Sequence, residues 1–203
     1  MKHKLIASLL AVTALFSTMA LPVGAASKTH TVVPGDTLWK IAVKYQVGTS
    51  EIISANPQIK NPDLIYPGQA VTIPTLDTTV SSYEQKVIDL VNQIRVQNGL
   101  KKLTANWELS RVARYKSQDM KDKKYFSHTS PTYGSPFNMI KNFGISFKTA
   151  GENIAYGYST PEAVVNGWMN SEGHRKNILN PNYTQIGVGY VASGHYWTQM
   201  FIG

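Results

Sequence analysis

The sequence predicts an α/β (α+β) chain: a small βααβ module followed by a three-layer α/β/α sandwich around an antiparallel sheet. Three features predict it. Between Thr29 and Pro74, two short β-branched runs with Pro-Gly turns flank two stretches of helical period. From Tyr83 to Met169, apolar residues recur at helical spacing four times, each time after a capping residue. After Gln185 the period drops to two on both sides of Ser193-Gly194, the mark of a hairpin.

The chain has 203 residues and a formal net charge of +8, a length that suits one or two domains. Residues 1–26 read as a secretory signal. Lys2 and Lys4 give a basic start, Leu5 to Leu21 is almost wholly apolar, and Pro22 to Ala26 offers small residues for cleavage after Ala25 or Ala26. The apolar run is close to the shortest that spans a bilayer, about 17 residues, so an uncleaved anchor is the competing reading. No later segment is long and apolar enough to span, so no transmembrane anchor is expected after cleavage. Cleavage leaves +6, from 18 Lys and Arg against 12 Asp and Glu. That excess suits anionic surroundings such as wall polymers or phospholipid surfaces. No basic cluster is interleaved with aromatics, so nucleic acid is not an expected partner. With no cysteine, disulfides, iron–sulfur clusters and thiolate zinc sites are excluded, and the exported chain must hold together by packing or by metal. The expected location is outside the cell, in the wall or envelope of a bacterium.

Residues 29–74 form the first unit. Thr31, Val32 and Val33 read as a strand, and Pro34-Gly35 turns it. Asp36 or Thr37 caps a helix carrying Leu38, Ile41, Ala42 and Tyr45 on one side. Gly48 ends that helix and Thr49 or Ser50 starts the next, with Ile52 and Ile53 expected inward. Asn56-Pro57 stops it, Pro67-Gly68 turns, and Val71, Thr72 and Ile73 return as a strand. His30 looks incidental. The runs VVPGDTLWKIA, IISANP and LIYPGQAVTIP resemble a LysM module along the whole segment. The resemblance implies binding of peptidoglycan or another N-acetylglucosamine polymer. It places the groove between Gly35, Asp36, Thr37 and Leu38 on one loop and Pro62, Asp63, Leu64, Ile65 and Tyr66 on the other. Loop backbone groups suit acetamido groups, and Leu64 and Ile65 offer an apolar floor. Leu38, Ile41 and Ile73 are also expected in the core. One module binds weakly, so firm attachment needs a second contact.

Residues 75–82 read as a short polar linker without Pro or Gly, and residues 83–203 as the second unit. Ser81 and Glu84 have capping-box spacing, and Val87, Leu90, Val91 and Ile94 form one helical face. A second helix from Asn106 is expected to bury Leu109, Val112, Ala113 and Met120 and to turn Arg111, Arg114, Lys116 and Asp119 largely outward. Lys121 to Lys124 reads as its solvated end. Ser135-Pro136 starts a third helix with Phe137, Ile140 and Phe143 on its apolar side. Thr160-Pro161-Glu162 starts a fourth, with Val164, Val165, Trp168 and Met169 buried. Ile186, Val188 and Tyr190 alternate and return from Tyr196 to Ile202. Ile154, Tyr156 and Tyr158 also alternate and are expected to pair beside this hairpin. His195 in the turn reads as structural.

The stretches FSHTSP, GENIAYG, VVNGWMNSEGHRKNIL, IGVGY and YWTQMF, in this order from about Tyr83, resemble a bacterial CAP (SCP-like) domain. The resemblance implies an α/β/α sandwich with a central groove of two His and two acidic residues. It places His128, Glu152 and His174 in that groove. The second acidic position falls on Ser171, with Glu172 one residue later. One step on a helix is about 100°, which would turn Glu172 away. Asn153 reads as a loop brace. Some members bind zinc through the two His. Here that implies His128 and His174 as optional Zn2+ ligands, with no cofactor required. Two protein ligands are fewer than the three usual in catalytic zinc sites. Such binding would weaken as the imidazoles protonate below about pH 6.5. Three functions follow from these residues. One is a secreted wall-associated protein that binds peptidoglycan and presents the groove to a ligand. Another is a metal-assisted hydrolase of wall peptide or glycan, with Glu152 as base. The third is a structural coat or envelope protein. The ligand of the groove and the oligomeric state stay open.

Overall fold

The computed structural model describes residues 27–203, so the predicted secretory signal lies outside the described residues. Within them, seven helices and two sheets form. The first unit is β1 (Ser27–Thr31), α1 (Leu38–Tyr45), α2 (Thr49–Ala55) and β2 (Ala70–Pro74), with β1 and β2 antiparallel and Thr31 opposite Ala70. The first strand therefore lies earlier than expected. Val32 still extends the pairing, through its N–H to Gln69 and its carbonyl to Gly68. Thr37 caps α1 by accepting from the Lys40 N–H at 3.1 Å. Gly48 is the N-cap of α2 rather than the end of α1, which stops at Gln46. Asn56 is fully buried and accepts from the Thr72 N–H while donating to the carbonyls of Ile52 and Thr72. This one amide ties α2 to β2. Ile52 is in the core, whereas Ile53 is exposed, because the α2 face turned to β2 takes only one of the pair.

The second unit runs α3 (Thr78–Gln97), β3 (Thr104–Ala105), α4 (Trp107–Asp122), α5 (Pro136–Asn142), β4 (Ala150–Ala155), α6 (Pro161–Asn170), α7 (Glu172–Ile178), β5 (Gln185–Val191) and β6 (Tyr196–Ile202). Strand order is β3-β5-β6-β4. The hairpin β5–β6 and the pair β4–β6 are antiparallel, as expected, but β3 adds parallel to β5. Tyr156 and Tyr158 fall beyond the end of β4. The stretch expected as a linker supplies Asp77, whose carboxylate caps α3, and the first turn of that helix. The sheet is sandwiched. On one face Ile186, Val188, Tyr190, Trp197 and Phe201 pack with α3 and α6. On the other, Met200 and Ile202 pack with α4 and α5.

Helix α4 lies unusually close to β5, and two glycines permit it. A Cβ at Gly187 would come within 2.4 Å of the Leu109–Ser110 backbone, and one at Gly189 within 2.1 Å of the Arg114 nitrogen. Ser117, buried at that contact, donates to the Gly189 carbonyl at 3.0 Å and pairs with Thr198 at 2.8 Å. Because α4 is pressed against the sheet, its flanks are covered too, and the polar residues expected outward are not. Lys116 is 1% and Asp119 0% exposed. Arg114 Nε donates to both oxygens of Glu84 on α3, at 2.9 and 3.0 Å. Burial pushes the Glu84 carboxyl up to about 7, against the pull of Arg114 and of the Tyr190 N–H. Phe137, expected inward, is exposed, while Met139 and Ile140 fill that face of α5.

The fourth polar residue of α4 joins the two units. Arg111 Nε donates to Glu51 Oε1 at 2.5 Å, and its Nη2 to Glu51 Oε2 and to the Ser50 hydroxyl at 2.9 Å each. The Tyr115 hydroxyl donates to Glu51 Oε1 at 3.0 Å. The guanidinium also lies over the Tyr115 and Phe143 rings. Burial alone would raise the Glu51 carboxyl, but the hydrogen bonds and charge of Arg111 outweigh it and hold it below its usual value. The stabilisation from this clasp is therefore present above the ordinary carboxyl range and lost as pH falls through the lowered value.

The glycine contact is directly testable. Gly189→Ala should destabilise by about 1–3 kcal/mol, the usual scale of overpacking, read as a lower thermal midpoint. Gly173, which has open space around its Cβ position, is the control. Equal midpoints for the two alanine variants would contradict the close-approach account.

Candidate functional site

A cleft of about 690 Å3 opens beside β4, with His128, Ser171 and His174 among its lining residues. Each part is held by a different device. The loop carrying His128 is fixed from α4. Lys116 Nζ donates to the carbonyls of Ser127 at 2.7 Å and His128 at 2.8 Å, with the Tyr125 hydroxyl at 3.3 Å. Burial pulls the Lys116 ammonium below the usual lysine value, and the charges of Glu152 and Asp119 offset part of this. Asp119 accepts from Ser130 at 2.6 Å, from Tyr125 at 2.7 Å and from Thr132. Ser130 Oγ in turn accepts from the Thr132 and Tyr133 N–H groups. Burial would raise the Asp119 carboxyl, but these hydroxyls and Lys123 bring it below the ordinary value.

Helix α7 is fixed from two other elements. Asn153 on β4 donates to the His174 carbonyl at 3.1 Å and accepts from Asn177 at 2.8 Å. Arg95 on α3, fully buried, donates to the carbonyls of Ile178 at 2.7 Å and Asn180 at 2.9 Å. A guanidinium at that end satisfies carbonyls the helix leaves open.

His128 Nδ1 meets Glu152 Oε1 at 2.7 Å. The carboxylate accepts, so Nδ1 carries the proton and Nε2 is the open nitrogen. The Glu152 side chain is 2% exposed and the His128 side chain 57%. The carboxylate therefore lies beneath the ring, and its Oε2 is buried without a hydrogen-bond partner among the described residues. His174 titrates below its ordinary 6.5, first because burial disfavours the imidazolium and second because a charge on His128 repels it. Ser171 caps the break between α6 and α7 and lines the cleft. Glu172, one residue on, pairs with Lys176 at 2.6 Å on the open side of α7 and does not enter the cleft. No group of three or more His, Cys, Asp or Glu side chains is gathered to hold a metal among the described residues. His128 and His174 supply two imidazoles, and the Nδ1 bond of the first to Glu152 leaves its Nε2 open.

In the first unit, the bonds of Val32 to Gly68 and Gln69 bring the two predicted loops to one end of the sheet. Leu64 and Tyr66 are exposed there, and Ile65 is partly buried against the core. Leu38 is buried, and Thr37, exposed, caps the helix through its hydroxyl. Pro62 and Asp63 lie on the surface of the second loop, and Gly35 turns the first with φ 87°. The Asp36 carboxylate is committed internally, to the Val33 N–H at 3.0 Å and to His30 Nε2 at 2.8 Å. His30 is thus not incidental. It is buried in β1, and its Nδ1 meets the Tyr45 hydroxyl at 3.1 Å, forming a strut beneath the first loop. Trp39 is exposed in the first turn of α1. A Trp beside the capping Thr37 was the available signal for it.

The CAP model, described as the cysteine-rich secretory protein family, matches residues 88–201, and the LysM domain model matches residues 30–74. The chain belongs to the cysteine-rich secretory protein (CAP) family and carries a LysM domain ahead of that region. It does so with no cysteine. It is 66% identical over 132 residues to the uncharacterized protein YkwD of Bacillus subtilis (strain 168), covering 65% of this chain and 51% of that one. It thus spans about half the length of that relative. An extracellular SCP-domain protein of Bacillus anthracis str. Ames matches in structure with a TM-score of 0.59 and 40% identity, over 67% of this chain and 47% of that chain. The LysM segment is 45% identical over 47 residues to an endolysin of Bacillus phage B103, 23% of this chain and 18% of that protein. No helix among the described residues is long and apolar enough to cross a membrane.

Two measurements check this site. An NMR titration should place His174 below 6.5. His128→Asn should move it only part of the way back, since burial is the larger cause and survives the change. Because folding disfavours the His174 imidazolium, its contribution to stability is complete above about pH 6.5 and declines as pH falls below it. Separately, Lys116→Met removes the donor to two carbonyls and should lower unfolding stability by about 1–3 kcal/mol in a denaturant melt. A neutral result would mean that the loop is held by something else.

Proposed function

We propose that this protein is a secreted, wall-associated binding protein. Its LysM domain docks on N-acetylglucosamine-containing wall glycan, and its CAP cleft presents His128, backed by the buried Glu152, and His174 to a ligand. The observation that carries this reading is the pairing of exposed Leu64 and Tyr66 with the Gly35 turn at one end of a LysM fold. Apolar side chains standing free beside loop backbone groups suit a sugar ring and its acetamido group. The likeness to a phage endolysin, a protein named for lysis, covers only 47 residues. It supports shared attachment to the wall rather than shared chemistry.

Hydrolysis of wall peptide or glycan is the second reading. The His128–Glu152 hydrogen bond favours it, because it holds the ring proton on Nδ1 and leaves Nε2 as the nitrogen that can accept a proton from water. Both readings meet in one assay on purified peptidoglycan. The double variant Leu64→Ser, Tyr66→Ala should reduce the retained fraction about tenfold, the effect of losing roughly 1.4 kcal/mol. Retention equal to wild type would overturn the docking assignment. Release of soluble fragments by the wild type, lost in Glu152→Gln, would establish the hydrolytic reading in place of the binding one.

A further inference from the structure

Three aromatic rings line the CAP cleft, Phe126, Tyr156 and Tyr158, and Tyr196 backs Tyr156. Phe126 follows α4, Tyr156 and Tyr158 follow β4, and Tyr196 opens β6. Phe126 meets Tyr156 edge to face with centroids 4.9 Å apart, and Tyr156 stacks on Tyr196 at 6.0 Å with 26° between planes. Phe126 is 47% and Tyr156 58% exposed, so the core does not account for them. Tyr158 lies over α6 where Gly167 leaves room, since a Cβ there would sit 2.6 Å from its hydroxyl. The same cleft is lined by His128, Ser171 and His174. It therefore combines a ring-faced wall with hydrogen-bonding groups.

Two ligand types suit it poorly. A peptide adding as a strand needs free backbone groups along the edge of β4. Asn177 donates to the Glu152 carbonyl at 3.1 Å and Trp168 Nε1 to the Ile154 carbonyl at 3.3 Å. Side chains of α6 and α7 therefore occupy those acceptors. An acyl chain needs an aliphatic lining, and the cleft offers Ile154 and Ala155, both nearly buried. A pyranose ring has the matching chemistry: one face of C–H groups for an aromatic wall, and a rim of polar substituents.

We propose that the CAP cleft is a second saccharide site, in which a sugar ring packs on Phe126 and Tyr156 while its acetamido and hydroxyl groups bond to His128, Ser171 and His174. This rests on the wall-docking reading above, which supplies the polymer. The probe is chitotetraose, titrated into the full chain and followed by backbone amide NMR. Amides of residues 126–128 and 154–158 should shift together with those of residues 35–38 and 62–66. Tyr156→Ala, a surface change, should weaken the first response about tenfold, the scale of one ring contact, and leave the second intact. Shifts confined to residues 35–38 and 62–66 would overturn the second site and spare the docking assignment. A response confined to 126–128 and 154–158 would support the second site while removing the docking assignment. No response at either would overturn both. A wall stem tetrapeptide that shifts the cleft amides where the sugar does not would replace the saccharide with a peptide.

Discussion

The close approach of α4 to the two glycines of β5 is the constraint from which the rest of the CAP region follows. A helix held at ordinary distance from a sheet keeps one face in and one out. Here the backbone of α4 lies where Cβ atoms of Gly187 and Gly189 would otherwise be. The flanks of the helix are then within reach of α3 on one side and of the 125–133 loop on the other. Arg114 meets Glu84, and Lys116 and Asp119 meet the loop. Polar groups buried in this way must be satisfied or they destabilise the fold. Lys116 has three oxygen acceptors and Asp119 three hydroxyl donors. The burial that would penalise them is offset by partners that the 125–133 loop supplies.

That explains which parts of the structure could be read from the sequence. The helix starts at Asn106, Pro136 and Pro161 were legible because caps and N1 prolines are local signals. The β5–β6 hairpin was legible because its alternation runs through both strands. The sandwich itself followed from counting these elements. What failed was the polar face of α4. Helical period assigns Arg111, Lys116 and Asp119 to solvent, since nothing in their spacing says that a loop and a second domain will cover them. His30 failed for the same reason: its partners Asp36 and Tyr45 are brought to it by the fold. The parallel pairing of β3 could not be read either, because two residues carry no period.

The cleft shows the same division. Family-like motifs pointed to His128, Glu152 and His174, and the step of one residue at Ser171–Glu172 pointed to a carboxylate turned away. The structure sets Glu172 against Lys176 and puts Ser171 at the helix break. The residues that hold the histidines in place, Lys116, Asn153, Asn177 and Arg95, act through backbone carbonyls of other segments. Such contacts leave no spacing pattern. The pairing of Glu152 with His128 has a chemical consequence beyond orientation. It fixes the tautomer, and so decides which imidazole nitrogen faces a ligand. With Nδ1 committed to Glu152, Nε2 is the nitrogen left to meet whatever enters the cleft.

The clasp at Glu51 then bears on how two weak sites can act together. Two modules joined by a flexible tether gain affinity through effective concentration, but the gain falls as the tether explores more volume. Here the expected tether is the first turn of α3, and Arg111 and Tyr115 hold α2 against α4. On the two-site proposal, this clasp would hold the LysM loops and the CAP cleft near one separation, and a ligand filling both would have to match that offset. A long repetitive polymer meets this condition at some register along its length, whereas a short soluble fragment does not. On the same proposal, that coupling would favour a long polymer over its short fragments without strong binding at either site. The clasp depends on Glu51 remaining charged, because its two carboxylate oxygens accept from Arg111, Ser50 and Tyr115 and its burial is offset by those donors.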